Sequence, residues 1–171
     1  MIVLILVGCT SINTVPLDKS INMSKIIIIE NPENKVIDFV PVCTRQFARW
    51  GIEAELYPQN TRVSPDDYVF TYWTEREWDT RMFMFKSHIE LSKNGKMLAS
   101  GDYHAIGGMF SLSVTKLYTT QWKMKRVFDQ MMRYHPEKPA IPIKIVSDPR
   151  QDKNRKQKND ISGNISVSDN Q

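Results

Sequence analysis

The tetrapeptide Lys93-Asn94-Gly95-Lys96 constrains this chain more than any other stretch. A two-residue Asn-Gly loop suits a type I′ turn, whose twist matches the strands it joins. Its flanks, Arg81 to Ser92 and Met97 to Ala105, are rich in aromatic and apolar residues. An antiparallel hairpin follows, with Leu91 opposite Leu98, Ile89 opposite Ser100, Ser87 opposite Asp102 and Phe85 opposite His104. One face then carries Phe83, Phe85, Ile89, Leu91 and Leu98, which is the expected core face. The other carries Met82, Met84, Lys86, His88 and Glu90.

That register sets Ser87 across from Asp102, with His104 two residues along on the same side. Gly107-Gly108 follows, where backbone can approach a ligand closely. A Ser/His/Asp set on one face invites a nucleophile reading. The polar end of a sheet face explains it better, so these residues are held as candidate binding contacts and no catalytic residue is assigned. His88 and His104 point to opposite faces in this register and cannot share a metal. The sequence holds no Gly-x-Gly-x-x-Gly, P-loop, His-Glu-x-x-His, Cys-x-x-Cys or Gly-x-Ser-x-Gly motif. No cofactor or metal is expected, and the chain reads as a non-enzyme.

The remaining elements fall around the hairpin. Lys25-Ile26-Ile27-Ile28-Ile29-Glu30 is a continuous β-branched run, as in a central strand crowded on both faces. Ile37, Val40, Thr44, Phe47 and Ala48 then recur at helical spacing, with Val36 and Cys43 beside them. Pro41 is tolerated only in a first turn, so this helix starts near Asp38 and stops at Gly51. Ile52 to Tyr57 alternates as a strand parallel to the first. Tyr68 to Thr74 is a further strand, and Glu75 to Thr80 a turn or bulge. From Val114 to Tyr134 an apolar stripe predicts a second helix, ended by His135-Pro136. Ile141 to Val146 reads as a proline-blunted edge strand. The expected fold is α+β: a mixed sheet of four to five strands, two helices packed on one face, in β-α-β-β-β-α order. Trp73 and Trp78 on the aromatic strand are candidate binding residues, with Trp122 as a possible third member of that patch.

The first nine residues, Met1-Ile2-Val3-Leu4-Ile5-Leu6-Val7-Gly8-Cys9, form an apolar run that turns polar at Thr10-Ser11. The run is far short of the about 20 residues that span a bilayer. Leu6-Val7-Gly8-Cys9 resembles the lipobox of bacterial lipoproteins, which implies cleavage before Cys9 and a lipid on its sulfur. Residues 1–8 are then a signal peptide, and 9–23 a lipidated cysteine with a flexible tether. Residues 24–147 form the single folded domain, and 148–171 a disordered polar tail. Thr10 in place of Asp implies, by known sorting rules, the outer membrane facing the periplasm. Acylation of Cys9 leaves Cys43 as a small buried side chain without a disulfide partner.

The charge is unevenly placed. Residues 150–158 hold five cations against Asp152 alone, and so carry the whole net charge of +4. The domain itself is near neutral, so the charge describes a tail and argues nothing for a nucleic-acid face; in the expected periplasmic setting nucleic acid is absent. A family resemblance covers Lys25 to Met132. It rests on the Ile-rich strand ending Glu30-Asn31-Pro32, Thr71-Tyr72-Trp73, Trp78-Asp79, the Asn94-Gly95 hairpin and Gly107-Gly108. In these the chain resembles small Gram-negative lipoproteins of uncharacterised function. The resemblance implies an anchored α+β domain and supplies no reaction. The partners expected are membrane lipid through acylated Cys9 and an envelope protein; the oligomeric state is open. A small periplasmic ligand-binding module using Trp73, Trp78 and the Gly107-Gly108 loop is the alternative.

Overall fold

A computed structural model describes residues 10–78, 82–105 and 118–137, without the side chains of Glu77, Trp78 and Met82. Cys9, Gly107, Gly108, Ile141 to Val146 and the polar tail lie outside the described residues. The strands are β1 (Thr10–Val15), β2 (Lys25–Ile29), β3 (Glu53–Tyr57), β4 (Tyr68–Trp78), β5 (Met82–Lys93) and β6 (Lys96–Ala105). The helices are α1 (Phe39–Arg49) and α2 (Thr120–Met131). The fold is α+β, with the sheet in the order β1-β6-β5-β4-β2-β3. β2 pairs in parallel with β3 and β4, and the other pairings are antiparallel. Both helices lie on one face.

Six strands replace the expected four to five, and four rather than three follow α1. The additional N-terminal strand is β1, which corrects the tether reading of residues 10–15. Thr10 pairs with Ala105 and Val15 with Ser100, so a polar segment completes the free edge of β6. Beyond it Leu17 is fully buried, and its N–H donates to the Met131 carbonyl at 2.8 Å. That bond satisfies one of the carbonyls a helix end leaves orphaned. Met23 is also buried, so much of 10–23 is folded structure.

α1 begins after Asp38, with Pro41 third in the helix, where a missing N–H is harmless. Gly51 adopts φ +68°, the left-handed stop that only glycine takes without strain. The buried face is Phe39, Val42, Cys43, Gln46, Phe47 and Ala48. Ile37, expected in the apolar stripe, precedes the helix and is 86% exposed. Phe47 of α1 meets Phe70 of β4 at 5.0 Å and Phe128 of α2 at 4.9 Å, both edge to face. Each such pair adds about 0.5–1.5 kcal/mol beyond its buried area. Arg49 clamps the helices together, pairing with Asp129 and with Glu137 at 3.1 Å.

The hairpin turn forms as expected, with Asn94 at φ 51° and Gly95 at φ 69°. Its register holds for only two pairs, Lys93 with Lys96 and Ser92 with Met97. Leu91 then pairs with Ala99, so Leu98 is an extra residue on β6. Every later partner moves by one: Ile89 faces Gly101, His88 faces Asp102 and Ser87 faces Tyr103. A one-residue slip sends a strand's alternate side chains to the opposite face. A second irregularity, between Glu75 and Arg76, lets Arg76 pair with Met84 and skips Phe85. Met84 therefore joins the core, whereas Phe85 and Leu98 are only partly buried.

Candidate functional site

The bulge at Leu98 redistributes the residues singled out in the sequence. Ser87 is buried on the helix side, its Oγ 3.6 Å from Met124 Sδ. Asp102 and His104 alternate onto the face opposite α1 and α2, so the expected Ser87/Asp102/His104 grouping does not form. His88 takes the place of Ser87, with Nδ1 2.8 Å from Asp102 Oδ1. His88 and His104 share this face, a correction to the sequence reading. Both follow from one inserted residue in β6.

On this face Trp73 stands directly across from His88. The two rings stack at 6.2 Å with 23° between their planes, and Trp73 stays 42% exposed. A lateral row Trp73–His88–Asp102–Asn13 thus crosses four strands, β4 to β1. The neighbouring row carries Glu75, Lys86 and His104. Lys86 Nζ lies 3.5 Å from the Glu75 carboxylate, and the His104 ring packs edge-on to Phe85 at 4.9 Å. The arrangement offers a rigid aromatic plane, an imidazole oriented by a carboxylate, and charges of both signs. Among the described residues no group of three or more His, Cys, Asp and Glu is placed to hold a metal.

Trp122 is on the other side of the sheet. It is on α2, stacked on Tyr118 at 3.8 Å, with the Arg126 guanidinium 4.9 Å from its ring. The three tryptophans of the expected patch therefore do not converge: Trp73 and Trp122 are on opposite faces, and the Trp78 side chain lies outside the described residues. Gly107 and Gly108, the expected ligand loop, lie there too.

A feature missed in the sequence sits beneath α2. Lys123 is fully buried, its Nζ donating to the Met84 carbonyl at 2.9 Å. It lies 5.2 Å from the Phe83 ring and 5.5 Å from the Tyr103 ring. The signal was its spacing, four residues before Val127 on the inner stripe, but lysine chemistry reads as a solvated face. Beside it the Tyr103 hydroxyl is buried and meets no hydrogen-bond partner among the described residues. Burial pushes its pKa up to about 12, against a small opposing pull from Arg126.

Between the first turns of α1 and α2 lies an open cleft of about 400 Å³. Val36, Ile37, Phe83 and Tyr118 supply apolar wall, and Asp38, Arg76, Thr119 and Thr120 polar wall. Asp38 does not cap its own helix through its side chain; its Oδ1 accepts from Thr120 Oγ1 at 3.1 Å, joining the two helix starts. Thr119 caps α2, its hydroxyl accepting from the Trp122 N–H at 3.2 Å.

No family model and no curated protein matches the chain. Among solved structures it is similar to the PelC dodecamer from Paraburkholderia phytofirmans. The TM-score is 0.51 at 14% identity, covering 72% of this chain and 98% of that one. A point variant of the same protein matches at a TM-score of 0.45 and 16% identity, covering 73% and 99%. At such identity the likeness is one of fold.

Proposed function

We propose that this chain is a bacterial lipoprotein, held to the membrane by acylated Cys9, whose domain acts by binding an envelope protein rather than by catalysis. Leu6-Val7-Gly8-Cys9 supports the anchor, and Thr10 supports the outer membrane facing the periplasm. β1 begins at the residue after Cys9. Consecutive Cα atoms are about 3.8 Å apart, so the acyl group has almost no slack and the domain works at the membrane surface.

One observation carries the binding reading: the sheet face opposite α1 and α2 holds Trp73 flat and exposed against His88. Rigid aromatics that lose little entropy on contact dominate interface energetics. Trp73→Ala should weaken capture of the partner from native membranes by about thirtyfold, the equivalent of about 2 kcal/mol. Capture with the same proteins at the same yield would refute the role of this face. Metabolic labelling with a fatty-acid analogue tests the anchor, and an unlabelled full-length chain in the soluble fraction would overturn it. A second reading, a small ligand-binding module at Trp73, draws on the His88–Asp102 pair beside an aromatic plane. Association of like chains also fits, since β1 and β3 are the sheet edges among the described residues and the similar Paraburkholderia protein is a dodecamer; the mass of the detergent-solubilised particle tests it.

A further inference from the structure

We propose that the cleft between the starts of α1 and α2 is a headgroup site for a phospholipid bearing one phosphate and one ammonium. The charged residues of its described wall are Arg76 and Asp38, one of each sign. Arg76 Nε is buried and meets no hydrogen-bond partner among the described residues. A buried guanidinium nitrogen left unpaired is costly, and a phosphate oxygen satisfies it with a charge-assisted bond. Asp38 gives Oδ1 to Thr120, and its second carboxylate oxygen suits the ammonium. The volume, about 400 Å³, is that of a small-molecule site, roughly 300–1,000 Å³.

Position singles out a lipid. Thr10 pairs with Ala105, so the anchored end of the sheet is where β6 ends. Strand directions put the ends of β2 and β4 and the start of β5 at that same end. Arg76 pairs with Met84 there, beneath the cleft. At its rim Ile37 is 86% exposed and Tyr118 36% exposed. An apolar and an amphipathic residue around a polar cleft match the level of lipid headgroups. The choice of a lipid rests on the anchored reading; the cleft, Arg76 and Asp38 do not depend on it.

The test uses the full chain in non-ionic detergent, titrated with dihexanoyl-phosphatidylethanolamine. The amide signals of Thr119 and Thr120 and the Arg76 Nε–H signal are followed by NMR. Saturable shifts are expected, weakened at least about tenfold by Arg76→Ala and by Arg76→Lys. The lysine variant keeps the charge, so it decides the point if the alanine variant fails to fold. Asp38→Asn keeps the acceptor for Thr120 and should weaken the ethanolamine lipid but not dihexanoyl-phosphatidylglycerol. No saturable shift, or equal binding by Arg76→Lys, overturns the proposal. Equal affinity for inorganic phosphate alone would assign a free-phosphate site and overturn the lipid. An unlabelled Cys9 would remove the anchor and leave this titration standing.

Discussion

Gly101 of β6 lies directly beneath α2, and adding one methyl group there tests how the site is held. A Cβ built on Gly101 falls inside the contact distance of Val127 Cγ1 and 3.2 Å from Ile89 Cγ1. Val127 and Ile89 are both fully buried. Valine in a helix has one strongly preferred rotamer, so Val127 cannot swing aside. In an open strand, Gly→Ala would stabilise by about 0.5–1 kcal/mol through lost backbone freedom. Overpacking this core costs about 1–3 kcal/mol. Gly101→Ala should therefore destabilise by about 1–2 kcal/mol, read as a lower urea midpoint at unchanged slope. Val127→Ala alone loses two buried methyl groups, about 1.6 kcal/mol of transfer plus a cavity term. In the double variant the new methyl occupies part of that void, so the combined loss should fall short of the sum by about 1 kcal/mol. Additive losses, within about 0.5 kcal/mol, would mean that α2 does not seat on Gly101, and with it the register that brings His88 to Asp102 would be refuted.

Cys43 is buried in α1, and burial, with a smaller contribution from the Asp38 charge, holds its thiol well above the ordinary value. Iodoacetamide at pH 8 should leave it unmodified in the native chain and alkylate it fully in urea; rapid native labelling would contradict its burial. Burial pushes the Asp129 carboxyl up, but hydrogen bonds from Lys125 and Arg49 outweigh that and leave it below its ordinary 3.8. A depressed carboxyl contributes stability that is present above the unfolded value and lost as pH falls through the folded one. Asp129 is 37% exposed, so screening limits this to about 0.5–1 kcal/mol. Urea midpoints at pH 7 and pH 3 should show Asp129→Asn losing less stability on acidification than the parent chain, and parallel losses would contradict the clamp.

Much of this fold is legible in local chemistry. Asn94-Gly95 specifies its turn because only residues tolerant of positive φ can make it. Pro41 and Gly51 bound α1 for equally local reasons, and the run of isoleucines marks β2 as an interior strand. The candidate site was legible only in part: Trp73, Asp102 and His104 do share a face, but Ser87 does not. What tertiary structure decided is which residue of β6 goes unpaired. Looping out Leu98 lets Ala99, Gly101 and Tyr103 pack under α2, and no residue near the turn reports that α2 lies there. The same holds for Thr10–Val15, whose polar run without a sustained period reads as tether until the open edge of β6 supplies hydrogen-bond partners. Turns and caps are settled by the chain's own φ and by neighbours a few residues away. Register, edge pairing and the burial of Lys123 are settled by surfaces remote in sequence, and so only the folded chain reveals them.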